Sequence, residues 1–258
     1  MYFNKLKNNW LSLLIVGVIV ISFISVDYSM LANISWELAG GVFSGLMKPA
    51  WSFVYDGSGE DLVSLLILTL GIGFLGTFFA SLIAIPVGIL SAHNLWPNHK
   101  LFAKVGKGVL SVLRAFPELI YAIIFVKVVG PGPFAGVLAI ATHQIGMLGK
   151  LFAEEMEAID PAPIEAMEAV GANFIQILFF ARIPQVLAIY ASLIVNHFEI
   201  AVRSASTLGL VGAGGIGATL IFAIQARNWS IVSVVLLGVI ITVFVIDSIA
   251  SSLRKKLR

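Results

Sequence analysis

The pattern of hydrophobic and polar positions divides the chain into long apolar stretches separated by shorter polar ones. Apolar runs with few or no charges cover residues 10–26, 62–90, 104–129, 134–151, 183–202 and 231–246. A helix needs about 20 apolar residues to cross the hydrocarbon core of a bilayer. The pattern therefore predicts an all-α membrane protein with about six transmembrane helices.

The segment between the first two predicted spans, residues 31–61, is mixed in character. Its aromatic residues, including Trp36 and Trp51, are interleaved with charged ones such as Glu37 and Lys48. Aromatic side chains favour the headgroup level of a membrane. We therefore expect an interfacial helix after the first span. The first span is too long for a signal-peptide core and lacks a clear cleavage pattern, so we expect it to be retained.

Composition agrees with a membrane protein and narrows its chemistry. Hydrophobic residues make up 59% of the 258 residues and charged residues only 12%, whereas soluble domains carry roughly 25% charged residues. The absence of cysteine excludes disulfides, thiolate metal sites and a cysteine nucleophile. We expect a first transmembrane helix and interfacial segment at 1–60, a domain of further membrane-spanning helices at 61–253 and a basic tail at 254–258.

Basic residues are concentrated in alternate loops, which predicts an orientation. With the amino terminus inside, eleven lysines and arginines fall in inner segments and four in outer ones. Basic residues stay on the cytoplasmic side of membrane proteins. Both termini are therefore expected in the cytoplasm, which requires an even number of spans. The net charge of +2 is too small to indicate a nucleic-acid partner.

The longest polar segment after the first loop, residues 153–183, predicts a short helix. Asp160 is a good N-cap residue, and Pro161 suits a helix start because its missing amide hydrogen would be unpaired there. Gly171 is placed to end the helix. The small residues between them would let a partner surface approach closely. An ordinary solvated loop helix is the alternative interpretation.

Glu165 and Ala166, followed by Gly171 and later by Ile183 and Pro184, resemble the EAA loop of permease subunits in bacterial ABC importers. In that family the loop forms a coupling helix that docks on the ATPase subunit. Met167 departs from the alanine usual at its position. The resemblance implies that the coupling residues are Asp160, Pro161, Glu165, Ala166, Met167, Glu168, Ala169 and Gly171.

Residues 132–149 and 203–217, together with this loop, are similar to the phosphonate importer permeases in particular. The resemblance implies a multi-pass protein of the bacterial inner membrane that imports phosphonate, phosphite or a related oxyanion. It also implies a homodimer, two ATPase subunits and an extracytoplasmic substrate-binding protein. An importer of another small solute such as an amino acid, a proton-coupled secondary carrier and an intramembrane enzyme are the alternatives.

The chain contains no Gly-x-x-x-x-Gly-Lys sequence followed by Ser or Thr, so it has no phosphate-binding loop of its own. We expect it to bind no cofactor, with ATP and magnesium held by the partner subunit. Gly212, Gly214 and Gly217 match the dinucleotide-binding glycine pattern, but that pattern requires a preceding strand. We expect these glycines, with Gly215, to shape the outer mouth of the bundle instead.

Ionisable residues inside predicted spans are costly and tend to face a cavity or a partner. Arg114 and Glu118 are four residues apart, as are Glu199 and Arg203, so each pair could neutralise itself on one helix. The alternative hypothesis is that Arg203 and Arg114 attract an anionic substrate, because arginine can bind two oxygens at once. The predicted pathway residues are Arg203, Arg114, Glu199, Ser204 and Ser206. His143 and His197 are expected to be hydrogen-bonded packing residues, and no metal site is predicted.

Overall fold

The computed structural model describes residues 2–29, 35–96 and 100–257, and within these ranges the chain forms helices and turns without a β-strand. The helices are α1 Tyr2–Ser25, α2 Trp36–Leu46, α3 Leu62–Ser91, α4 Lys100–Ala115, α5 Glu118–Val129, α6 Pro133–Glu157, α7 Ala162–Ala169, α8 Phe174–Ile177, α9 Ile183–Leu208, α10 Ile216–Gln225 and α11 Trp229–Leu257. A π-helical turn, Leu178–Arg182, joins α8 to α9.

The chain divides into two compact units, Met1–Ser44 and Gly45–Arg258. The first unit contains α1, whose apolar side chains between Trp10 and Ile24 are largely exposed. It also contains most of α2, which has Glu37 in its first turn and an exposed Trp36. A helix therefore follows α1 as predicted, while its location at a membrane interface stays a prediction.

Four helical segments are long and apolar enough to cross a membrane: α3, α6, α11 and the continuous segment Phe174–Val211, which contains α9. The pair α4 and α5 passes the same test as one bent span, and Trp10–Ser25 of α1 is a shorter apolar helix. The all-α membrane architecture is confirmed. The number of six spans stays a prediction.

The third predicted span, residues 104–129, is not one straight helix. It breaks between Ala115 and Glu118, and the two halves meet at an angle of 82°. Pro117 has an extended backbone, with φ −57° and ψ 141°. Proline has no amide hydrogen and disfavours helical geometry in the residue before it, which explains the break. The Tyr121 hydroxyl donates a hydrogen bond of 2.8 Å to the Leu113 carbonyl and so connects the halves.

Close packing of α3 against α6 forms the centre of the second unit. A side chain at Gly76 would collide with Ile140, and one at Gly88 would collide with Phe152. Small residues let helices approach closely in membranes, where packing rather than the hydrophobic effect drives association. Helix α9 joins this core through Tyr190, whose ring stacks on Phe152 at 4.2 Å between centroids.

Helix α3 begins with a side-chain cap. Asp61 is the N-cap residue, and its carboxylate accepts hydrogen bonds from the Ser64 amide at 2.8 Å and the Gly57 amide at 3.1 Å. These donors stabilise the ionised carboxylate, the Ser64 amide most strongly, and hold the pKa of Asp61 below its ordinary value.

The carboxyl end of the chain continues the last helix. Residues 254–258 were predicted as a separate basic tail, but α11 extends through Leu257. Its last turn carries Arg254, Lys255 and Lys256. Cations near a helix carboxyl terminus interact favourably with the helix dipole, which favours this extension.

Candidate functional site

The helix predicted between α6 and α9 is α7, and it starts one residue later than expected. Pro161 rather than Asp160 occupies the N-cap position. The Asp160 carboxylate still accepts a hydrogen bond of 3.0 Å from the Ala162 amide. It therefore satisfies one of the amides that the first turn of any helix leaves unpaired.

Gly171 ends α7 as predicted, in a left-handed conformation with φ of 80°. The Ala172 amide donates to the Met167 carbonyl and the Gly171 amide to the Glu168 carbonyl, both at 3.0 Å. This pair of hydrogen bonds is the Schellman arrangement. A residue with a side chain would be strained at Gly171, so the end of α7 is fixed by the sequence.

Helix α7 has two different faces. Ile164 and Met167 pack inward against Ile177 and Ala181 in a small apolar cluster. Met167, which stands where the EAA loop usually has alanine, therefore changes the packed base of α7 and not its outer surface. The outer surface consists of the exposed residues Glu165, Ala166, Glu168 and Ala169.

Polar side chains fix the base of α7 to the start of α9. Gln185 accepts a hydrogen bond from the Asp160 amide at 3.0 Å and donates one to the Ala181 carbonyl at 2.7 Å. Asn173 and Gln176 form a reciprocal capping box. The spacing of Asn173 and Gln176 is a recognisable sequence signal that could have been found. Gln185 gave no such signal, because its partner lies 25 residues away.

A shallow pocket of about 360 Å³ opens beside the carboxyl end of α7. It lies next to the exposed Val170 and Phe180 side chains. The pocket is lined by Met167, Val170, Gly171, Ala172, Gln176 and Phe180.

The second candidate region is a group of three charged residues on α9 and α11. One oxygen of Glu199 lies 2.7 Å from Arg203 Nη2, as the i,i+4 spacing predicted. The other oxygen lies 3.0 Å from Arg254 Nη1, which the sequence had placed in a tail. The Glu199 side chain is 9% exposed, that of Arg254 26% and that of Arg203 52%. One carboxylate therefore serves two guanidinium groups.

Arg114 and Glu118 do not form the predicted i,i+4 pair. The break at Pro117 places them on different helices, α4 and α5. Glu118 instead lies close to Ser204 of α9, and its Oε1 atom has no hydrogen-bond partner within the described residues. Ser206, also a predicted pathway residue, donates to the Val202 carbonyl of its own helix. The structure thus brings Glu199, Arg203 and Arg254 together, and Glu118 with Ser204, but gives Arg114 no ion pair within the described residues.

The two predicted packing histidines lie among buried polar groups. His197 is 4% exposed and Gln144 is 2% exposed. Gln144 Nε2 donates to the His197 carbonyl at 2.9 Å. The Nδ1 atoms of His143 and His197 have no hydrogen-bond partner within the described residues. The predicted hydrogen bonds are therefore not formed at these two ring atoms.

The glycine-rich segment after α9 folds against the amino-terminal ends of α6 and α10. Gly212, Gly214 and Gly215 have φ values of 85°, 82° and 75°. The Gly212 carbonyl accepts a hydrogen bond of 2.9 Å from the Gly132 amide, and the Ile216 amide donates to Thr69 at 2.9 Å. A helix rather than a strand precedes these glycines, so they lack the setting of a dinucleotide-binding turn.

Comparison with known protein families shows which family the chain belongs to. The family described as "Binding-protein-dependent transport system inner membrane component" matches residues 84–258, which include α7, the three charged residues and the glycine-rich segment. The chain belongs to this family. The predicted resemblance to importer permeases is confirmed.

Two relatives of this inner membrane component carry names that agree with the predicted subfamily. "Phosphate-import permease protein PhnE" of Mycolicibacterium smegmatis is 34% identical over 98% of the chain and 47% of the relative. The chain thus spans about half the length of that relative. "Phosphite transport system permease protein PtxC" of Stutzerimonas stutzeri is 40% identical over 74% of the chain and 69% of the relative.

Solved structures of ABC transporters share the fold of this inner membrane component. A structure of inward-facing conformations of the MetNI methionine ABC transporter has a TM-score of 0.66 at 23% identity. It covers 76% of the chain, and the match includes 96% of that structure's chain. An amino acid ABC transporter with histidines has a TM-score of 0.60 at 17% identity, covering 90% of the chain and 99% of its own.

Proposed function

We propose that the chain is the membrane-spanning permease subunit of an ATP-driven importer for a small phosphorus oxyanion, such as phosphite, phosphonate or phosphate. The names of the two relatives support this substrate class. The family itself is defined by binding-protein-dependent transport. The permease contributes the passage across the membrane, and a separate subunit hydrolyses ATP.

The observation that carries the coupling role is the two-faced geometry of α7. The base of α7 is packed on Ile177 and Ala181 and hydrogen-bonded through Gln185, so α7 is firmly attached to the start of α9. Its outer face is exposed and made of small or acidic residues. A rigid element of this kind transmits the movement of a two-state partner to the spans that carry it. The partner is the ATPase subunit, which docks on Glu165, Ala166 and their neighbours.

The end of the bundle at which α7 lies supports the predicted orientation. Lys107 pairs with Glu157 and Lys150 with Glu154, both near the carboxyl end of α6 and therefore close in sequence to α7. Basic residues favour the cytoplasmic side, so α7 and both chain termini face the cytoplasm of a bacterial cell. The glycine-rich segment then faces outward, where a substrate-binding protein delivers the oxyanion.

The assembly is a homodimer with two ATPase subunits. Each permease chain offers one α7, and an importer with two ATPase subunits needs two such elements. A closed two-fold pair is the commonest assembly of identical chains.

Reconstituted transport tests this function. The permease, its ATPase and its binding protein are placed in proteoliposomes, and uptake of labelled phosphite is measured with ATP present or absent. We expect uptake that requires ATP and the binding protein and that persists when the proton gradient is dissipated. Uptake driven by a proton gradient without ATP would contradict the proposal. ATP-dependent uptake of a labelled amino acid but not of labelled phosphite would contradict its substrate class alone.

A further inference from the structure

The charges around Glu199 do not balance. Arg203 and Arg254 each approach a different oxygen of the same carboxylate, at 2.7 Å and 3.0 Å. The group therefore carries two positive charges and one negative charge. Within the described residues, neither arginine lies within ion-pair distance of another acidic side chain. The exposed Asp247 lies two turns before Arg254 on α11 and belongs to neither pair.

An excess positive charge between membrane-spanning helices is costly unless an anion accompanies it. The Glu199 carboxylate is largely buried and fixes both guanidinium groups close together. Arg203, with a half-exposed side chain, leaves the group open on one side. The arrangement thus has a fixed base and an accessible positive face.

The two arginines also retain donors for a further ligand. A guanidinium carries five N–H groups, and the described structure shows one hydrogen bond from each of these arginines, to Glu199. The remaining N–H groups form planar forks that match two oxygens of a phosphate-type group. Carboxylates bind the same forks, but a tetrahedral oxyanion can engage two forks at once.

We propose that Arg203 and Arg254, positioned by Glu199, form a binding site for a phosphorus oxyanion. The identity of this ligand class rests on the proposed function. Glu199 is a positioning residue, because it acts through the two arginines and does not itself bind the anion. Arg254 is the member that the sequence did not single out.

The oxyanion bound by the arginines has two possible sources, because an apolar pocket lies beside the site. The pocket has a volume of about 220 Å³ and lies between α3, α9 and α11. Phe198 and Leu253, which precede Glu199 and Arg254 in the sequence, form part of its wall. Free oxyanion in transit would bind the arginines alone. A phospholipid would place its headgroup phosphate on the arginines and an acyl chain in the pocket.

The test uses the assembled transporter in a phosphate-free maltoside detergent and measures its thermal unfolding midpoint. Sodium phosphite, inorganic phosphate or phosphatidylglycerol is added, with sodium chloride at equal ionic strength as the salt control. The decisive comparison is Arg254→Gln against Lys255→Gln, because both remove one positive charge from the same helical turn. Lys255 is exposed and forms no ion pair within the described residues.

We expect the ligand to raise the midpoint of the wild type and of Lys255→Gln. Arg254→Gln should need at least about ten times more ligand for the same rise, because a charge-assisted hydrogen bond is lost. A response to phosphite or phosphate supports the site with the free oxyanion as ligand. A response to phosphatidylglycerol alone, with the same dependence on Arg254, supports the site with the lipid phosphate as ligand.

Equal responses of Arg254→Gln and Lys255→Gln would overturn the proposal. If Arg254→Gln does not assemble, Arg254→Lys keeps the charge but loses the fork. It should weaken the response relative to Lys255→Arg, and equal responses would again overturn the site. Wild-type uptake driven by ATP is measured in parallel. Its absence would count against the proposed function, whereas the variant comparison tests the site alone.

Discussion

Glu199 pairs with two arginines between α9 and α11, so replacing it should leave both Arg203 and Arg254 without their ion-pair partner. Glu199→Gln keeps the size of the side chain but leaves both arginines without an ionised partner. We expect a loss of about 1–3 kcal/mol in stability, since the carboxylate is largely buried while the arginines are partly solvated. The measurement is the thermal unfolding of the purified transporter.

Glu154→Gln is the matched control for this prediction. Glu154 pairs with Lys150 at 3.2 Å, and both side chains are well exposed. Exposed pairs of this type contribute little, so the control should change stability by about 0.5 kcal/mol or less. Equal effects of the two substitutions would show that Glu199 is not a structural centre.

Asp61 should make the folding stability of the protein depend on pH in the acid range. Amide donors hold the pKa of Asp61 below its ordinary value. Its contribution to stability is therefore complete above the unfolded-state pKa of about 3.9 and is lost as the pH falls through the lower folded-state pKa. Asp61→Asn should reduce the thermal midpoint at pH 7 and flatten its decline below about pH 4. The neighbouring Glu60→Gln should leave the decline intact, and parallel curves for Asp61→Asn and wild type would contradict this role.

Local signals at the residue scale were readable from the sequence. Asp160, Gly171 and their spacing predicted the limits of α7 to within a residue, because caps depend on near neighbours in the chain. The pairing of Glu199 with Arg203 followed from helical spacing in the same way. Arg254 could not be predicted, because its partner is 55 residues away and depends on how α11 packs on α9.

At the element scale, the helices were predicted better than their shapes. Hydrophobic runs located α3, α6, α9 and α11, since long apolar stretches specify membrane helices directly. The break of 82° between α4 and α5 was missed. Pro117 carried the signal, but the continuous apolar pattern on both sides concealed it. Membrane-spanning helices tolerate proline when neighbouring groups satisfy the backbone hydrogen bonds that it removes, so Pro117 alone did not predict a break.

The first turn of α10, where it packs on the end of α9, should be intolerant of even one added methyl group. A side chain at Gly217 would collide with the Ser206 carbonyl and lie 3.0 Å from the Gly209 Cα. Both contacts are with backbone and cannot yield easily. Gly217→Ala should therefore cost about 1–3 kcal/mol, measured as the thermal midpoint of the purified protein.

Gly108 of α4 provides the opposite case. It is helical, and among the described residues no atom outside its own stretch of helix lies within 4 Å of the position that an added methyl group would occupy. Gly108→Ala should be neutral or stabilising by up to about 1 kcal/mol, because alanine favours the helix. If both substitutions behaved alike, the close packing of the glycine-rich segment would be wrong.

At the scale of the whole molecule, the orientation in the membrane is directly testable. The chain contains no cysteine, so single cysteines can be introduced without a prior background change. Glu165→Cys on α7 should react with a membrane-impermeant thiol reagent only when the cytoplasmic side is exposed. Ser58→Cys, in the loop before α3, should react from the outside of intact cells. Labelling of both positions from the same side would contradict the proposed topology.

The central claim is that α7 couples the membrane-spanning bundle to a separate ATPase. Ala166→Trp adds bulk to the exposed face of α7 without touching its packed base, so the permease should fold and insert normally. Ala226→Trp, at the exposed end of α10, introduces the same side chain at the opposite end of the bundle. The deciding measurement is ATP-driven phosphite uptake by proteoliposomes that contain equal amounts of each assembled variant. We predict that Ala166→Trp reduces uptake at least about tenfold while Ala226→Trp transports like the wild type, and full uptake by Ala166→Trp would contradict the account.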